Sequence, residues 1–221
     1  MVDLGSGLGV DSLIAAESVG PAGSVVGVDL SRAEVAHSSA RAADRAVPNL
    51  RYVVGDIEAL PLPDSSVDVV ISNGAFCLAP DKRKAFSEIH RVLKPGGRFA
   101  VATSTAKMRL DAAGEGTSVW PVCMRTFIHI DELDPLLNGL GFEHVALDTS
   151  DSCMQFELPG FTDDDDEAAE AAARAESSGR NQVHVGSPEF EHLAELDMNA
   201  ICARVVVTGR KPALQAAGAP A

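Results

Sequence analysis

The sequence predicts an α/β fold built on a doubly wound sheet whose strands run mostly parallel. Through residues 2–103, short β-branched runs alternate with alanine-rich or amphipathic stretches, the order expected of βαβ units. The first run, Val2-Asp3-Leu4, enters the turn Gly5-Ser6-Gly7-Leu8-Gly9, which opens a helix-like stretch from Val10 to Ser18. A strand, a glycine turn and a helix in that order let the backbone pass close to a nucleotide-like ligand. The second run, Ser24 to Asp29, ends in a carboxylate where such a unit meets a ribose.

Each element follows from its residues. Val2 to Leu4 is short beside the five or six residues (roughly) of a buried strand. Two expectations follow: a fragment or mis-started product, or a truncated form with an unusually open pocket. Gly20-Pro21-Ala22-Gly23 ends the first helix, and Ser24 to Asp29 is apolar enough to be buried on both faces. Arg32 to Ala46 reads as a helix; the alternative to a ribose contact for Asp29 is the N-cap of that helix, a role for which Ser31 with Glu34 offers a competing capping box.

The third strand, Leu50 to Gly55, leads to Asp56-Ile57-Glu58 and the proline-punctuated loop Leu60 to Asp64. Adenine needs an acceptor for its amino group and an apolar face, which Asp56 and Ile57 can supply; the other reading of Asp56 is a turn residue. Val67 to Asn73 is a fourth strand with an exit loop from Gly74 to Lys82. Its carboxyl end flanks the topological switch point, so Asn73 is either a ligand contact or a polar strand-end residue. Lys84 to Leu93 is an amphipathic helix, and Lys94-Pro95-Gly96-Gly97 turns into the fifth strand, Arg98 to Thr103.

Beyond Ser104, Asp111 to Thr117 reads as a flexible connector, Asp131 to Leu140 as a helix closed by Gly141, and Phe142 to Leu147 as a sixth strand. The last strand is Ala203 to Gly209. The expected organisation is one domain over residues 1–212, an acidic insertion around 160–182 that includes Asp163 to Gly179, and a flexible tail over 213–221.

Composition narrows the function. The chain has 221 residues, 46% of them hydrophobic, enough for one α/β core. A formal net charge of -14 and a pI near 4.7 argue against nucleic acid and acidic membrane surfaces as partners. With no leader-like or membrane-length apolar run, a cytoplasmic protein is expected. Cys77, Cys123, Cys153 and Cys202 lack metal-site spacing, so no metal is expected and the thiols should be reduced. Oligomeric state is not readable from the sequence.

The spacing D-x-G-x-G-x-G differs from the G-x-G-x-x-G of dinucleotide sites, and Asp3 suits a cationic ligand better than a diphosphate. Together with Asp29, Asp56-Ile57, Ile71-Ser72-Asn73 and Leu93-Lys94-Pro95-Gly96-Gly97, this turn resembles the class I S-adenosylmethionine-dependent methyltransferases. The resemblance implies a Rossmann-like, seven-stranded sheet with the last strand as an antiparallel edge, and upstream cover helices that this chain lacks. It also implies S-adenosyl-L-methionine as cofactor, contacted by Asp3, Gly5, Ser6, Gly7, Gly9, Asp29, Leu30, Asp56, Ile57 and Asn73. Asn73 would lie near the methyl group.

Within that superfamily, Val69 to Asn73 followed by Leu78-Ala79-Pro80-Asp81-Lys82 is most similar to arsenite methyltransferases and quinone-biosynthesis C-methyltransferases. A small-molecule methyl acceptor is implied, with arsenite one candidate. Cys123 and Cys202 would then be the acceptor thiolates, soft ligands for a soft centre. Gly74 stands where that family commonly has a cysteine after the asparagine. His129, His90 and His184 are candidate bases, but Phe127-Ile128-His129-Ile130 reads better as packing, and no catalytic base is named. Two other classes remain open: a catalytically silent cofactor-binding module or partner subunit, and a dinucleotide-dependent oxidoreductase.

Overall fold

The computed structural model describes residues 1–108, 122–150, 152 and 197–214. The expected connector at Asp111 to Thr117, the acidic insertion, Cys153, His184 and the tail from Gln215 lie outside the described residues. Seven strands form one sheet in the order β3-β2-β1-β4-β5-β7-β6. They are β1 (Val2–Leu4), β2 (Val25–Asp29), β3 (Leu50–Val54), β4 (Val67–Asn73), β5 (Leu93–Ala106), β6 (Glu143–Asp148) and β7 (Cys202–Arg210). β1 to β5 are mutually parallel; β7 is antiparallel to both β5 and β6.

The last strand is antiparallel as expected, but it is not an edge. It inserts between β5 and β6, because Ala203, Val205 and Val207 are fully buried and need partners on both sides. β6 takes the edge, and its exposed Glu143, His144 and Asp148 suit a strand that faces water. The Lys94-Pro95-Gly96-Gly97 turn is a second correction, since it lies inside β5. Leu93 pairs with Val67 and Arg98 with Val69, so the turn bulges out of the ladder. Gly96, at φ +79°, donates to the carbonyl of Lys211, and Lys211 Nζ donates to the carbonyls of His90 and Leu93.

The helices are α1 (Val10–Val19), α2 (Arg32–Asp44), α3 (Lys82–Val92), α4 (Val122–Arg125), α5 (Ile130–Gly139) and α6 (Met198–Ile201). A 3-10 turn, Phe76–Leu78, follows β4. Two cores result, one on each face of the sheet. Ala15, Ala16 and Ala42 of α1 and α2 cover Val25 and Leu50. On the other face, Phe86 and Ile89 of α3 and Leu133 and Leu137 of α5 pack on Val70, Phe99, Val101 and Val207. Phe76, Phe86, Phe99 and Phe142 form an aromatic chain with centroid spacings of 4.9, 6.0 and 4.7 Å, which anchors the 3-10 turn to that core.

Candidate functional site

The glycine turn after β1 is where the two halves of the sheet diverge. Gly5, Gly7 and Gly9 all lie in the left-handed region, at φ +69°, +48° and +80°. The sequence reading gave these glycines to ligand approach; packing accounts for two of them. A Cβ on Gly5 would lie 2.1 Å from that of Ala75, and one on Gly9 would lie 2.2 Å from the Tyr52 hydroxyl. Gly7 faces open space. The turn also consumes its own donors. Gly5 and Ser6 N–H donate to the Val28 carbonyl at 2.8 and 3.1 Å, Gly7 N–H to Asp29 Oδ2 at 2.9 Å, and Gly9 N–H to the Ser6 carbonyl at 2.8 Å. Dinucleotide turns offer such amides to a pyrophosphate; here those four are already bonded.

Asp3, expected where the chain approaches a cationic ligand, lies buried beneath this turn. It is 2% exposed, on the face covered by α1, and Ser12 Oγ donates to its Oδ2 at 2.5 Å. Burial pushes its carboxyl up to about 6, aided by Asp11 and Asp29 and opposed by the Ser12 hydrogen bond. Tyr52, which the sequence reading missed, braces the turn from β3: its hydroxyl donates to the Gly9 carbonyl at 3.3 Å. Its ring crosses β2 over Gly27, where a Cβ would lie 2.3 Å from it. The available signal was Gly27 itself, a glycine inside a buried strand. Ser6 Oγ is turned inward toward Gly27 and is buried without a hydrogen-bond partner.

Beside the turn, at the carboxyl ends of the strands, lies a cavity of about 330 Å³. Gly5, Asp29, Leu30, Asp56 and Ile57 line it, all expected from the sequence, together with Glu58, Leu78, Ala79 and Pro80, which were not. Asp29 is fixed from two sides, since its Oδ1 accepts from Ser31 N–H at 2.8 Å while Oδ2 holds Gly7. Ser31 in turn caps α2, accepting from Glu34 N–H at 3.3 Å. Ser31, not Asp29, is therefore the cap of α2, and Asp29 holds that cap residue while lining the cavity. Asp56 Oδ1 accepts from Glu58 N–H at 2.8 Å, so it is a turn residue that also lines the cavity. Leu30 and Leu78 are 72% and 58% exposed at the cavity, unusual for leucines and suited to covering a flat ring.

The walls are held by charge. Glu58 Oε1 accepts from Asp81 N–H at 2.8 Å, joining the loop after β3 to the start of α3. Arg91 donates to the carbonyls of Leu60 and Leu62 and to Glu88 and Asp64. Lys82 is buried under the 3-10 turn and donates to the carbonyls of Cys77 and Ala79. Burial pulls its ammonium down to about 8, against the pull of Cys77 and Glu58.

Other expected site residues lie elsewhere. Asn73 Nδ2 donates to Asp11 Oδ2 at 3.2 Å, exposed beside the turn but not lining the cavity. Cys202 is fully buried at the start of β7, its Sγ donating to the Met198 carbonyl at 3.3 Å. Cys123 falls in α4, and its side chain lies outside the described residues. His129 caps α5, accepting from Asp131 N–H at Nδ1, and its Nε2 is 2.9 Å from the Lys107 carbonyl. Both ring nitrogens are thus engaged in holding the start of α5 and the end of β5. Among the described residues no cluster of His, Cys, Asp and Glu can hold a metal ion, and no helix is long and apolar enough to cross a membrane.

This geometry has relatives. An arsenite methyltransferase of Halobacterium salinarum is 37% identical over 158 residues, 71% of this chain and 40% of that protein. A demethylmenaquinone methyltransferase of Lactococcus lactis is 38% identical over 98 residues, 44% of this chain and 39% of that protein. The chain thus spans about 40% of the length of these relatives. Among solved structures, a Haemonchus contortus phosphoethanolamine N-methyltransferase in complex with S-adenosyl-L-methionine has a TM-score of 0.67 at 21% identity. That alignment covers 96% of this chain and 48% of the other. Residues 1–141 match the methyltransferase domain family, and the chain belongs to it.

Proposed function

We propose that this chain binds S-adenosyl-L-methionine and transfers its methyl group to a small-molecule acceptor. The observation that carries the reading is the convergence of Asp29 and Asp56 with Leu30, Ile57 and Leu78 on one cavity. Those groups match an adenosine: carboxylate acceptors for ribose hydroxyls and an exocyclic amine, and apolar side chains for the two faces of a ring. Gly7 leaves room for close approach, and the buried Asp3 places negative charge behind the turn for a cationic amino-acid portion. The bonded amides of Gly5, Ser6, Gly7 and Gly9 disfavour the dinucleotide alternative.

When bound, the cofactor supplies an electrophilic methyl group. The chain's own contribution is then orientation: Asp29 and Asp56 hold the nucleoside, while the aromatic chain behind Phe76 fixes the opposite wall. In-line transfer needs alignment more than acid–base chemistry, so the absence of a named base is compatible with turnover. The acceptor is unassigned. The names of the relatives suggest arsenite or a quinone precursor; an arsenite site would require Cys202 to leave its packed position and act with Cys123.

The test is transfer of labelled methyl from S-adenosyl-L-methionine by the purified chain to a panel containing arsenite with thiol and demethylated quinols. Product formation on one of them is expected. Cofactor binding without transfer to any acceptor would favour the silent module, and tight NAD binding would favour the oxidoreductase. If arsenite is methylated, Cys123→Ser and Cys202→Ser should each reduce that product.

A further inference from the structure

A second cavity, of about 300 Å³, lies on the same sheet towards the opposite ends of the parallel strands. In register, Val69 of β4 pairs with Arg98 of β5, and Arg98 with Arg210 of β7, so these side chains stand in one row on the face that carries α1 and α2. Ala100 and Thr208 form the next rung and, being small, leave a hollow between the longer side chains. His144 of β6 also lines it, brought there by the irregularity between Glu143 and Ala146 and itself held at φ +53°.

Like charges directly opposite across an antiparallel pair repel. Yet Arg98 and Arg210 are such a pair, both exposed, in a chain whose net charge is -14. Neither guanidinium forms an ion pair with a described carboxylate, although Glu143 is the register partner of Arg210. An anion between them would relieve the repulsion and receive several charge-assisted hydrogen bonds. We propose that this cavity binds a soluble phosphate compound of the monoester or diphosphate class, held by Arg98 and Arg210 with Thr208 and His144 as further polar contacts.

The site is distinct from the cofactor cavity. Arg98 precedes Ala102, the register partner of Asn73, by a stretch of strand about 13 Å long, and the two cavities share no residue. The chain's overall negative charge disfavours nucleic acid and anionic membranes as the source of the phosphate.

Calorimetric titration of the full chain with inorganic pyrophosphate tests this, with thermal unfolding as a second readout. Pyrophosphate should bind, raise the melting temperature and weaken as ionic strength rises. Arg98→Gln or Arg210→Gln should weaken it by about tenfold or more, as loss of a charge-assisted contact requires; S-adenosylhomocysteine binding should be unchanged. Absence of pyrophosphate binding, or equal binding by the double variant, would overturn the proposal. Arginine-dependent capture by phosphatidic acid vesicles in preference to pyrophosphate would overturn the soluble ligand.

Discussion

Asp3 concentrates the conflict between stability and binding at a single residue. Its carboxyl is raised from the ordinary 3.8 to about 6, chiefly by burial. Between those values the folded chain holds a proton that the unfolded chain releases. The contribution to stability is therefore complete below about pH 4 and lost as pH rises through about 6. At neutral pH the buried charge costs up to about 3 kcal/mol. Asp3→Asn should raise the melting temperature at pH 7.5 and bring no gain at pH 3.5, as read by paired thermal melts. The same variant should weaken S-adenosylmethionine and S-adenosylhomocysteine alike and several-fold, because both carry the ammonium of the amino-acid portion; unchanged binding of both would argue that Asp3 merely supports the turn. At this scale the sequence disclosed Asp29, Leu30, Asp56 and Ile57 as cavity residues, since strand ends in βαβ units have fixed places. Tyr52 was missed because it reaches the turn by packing across β2, and Leu78 and Pro80 because they belong to the loop after β4, whose path no strand or helix period gives.

Between elements, Arg91 of α3 decides how well the loop after β3 is held. It joins Leu60, Leu62 and Asp64 to α3, and Glu88 accepts from Leu60 N–H at 2.7 Å beside it. Arg91→Ala should cost about 1–3 kcal/mol in urea unfolding, because partly buried carbonyls lose charged donors. Hydrogen exchange should accelerate first at residues 56–64, and cofactor affinity should fall with it; uniform acceleration would show that the latch is not local. The elements themselves were largely legible. β-branched runs and alanine-rich stretches marked β2, α2 and β4 almost to the residue, because burial on both faces leaves a continuous apolar signature. The Pro-Gly-Gly turn was misread as a break because local chemistry cannot show that Lys211 holds it inside the ladder of β5.

At the scale of the molecule, the parallel half of the sheet followed from the chain order, whereas the place of β7 did not. Inserting β7 between β5 and β6 is a long-range choice, made by buried Val205 and Val207, that no local window contains. That order sets β1 beside β4, which brings the Gly5 turn against Ala75 and opens the cavity between them and the ends of β2 and β3. In the proposed function this opening holds a methyl-donor nucleoside through Asp29. Calorimetric titration with S-adenosylhomocysteine tests it most directly, on the intact chain, Asp29→Ala and Asp29→Asn, with thermal unfolding to establish that each is folded. Binding in the micromolar range is expected, reduced at least about tenfold by Asp29→Ala and less by Asp29→Asn, which keeps one acceptor oxygen. A folded chain that binds no S-adenosylhomocysteine, or a folded Asp29→Ala that binds it as well as the intact chain, would contradict the account.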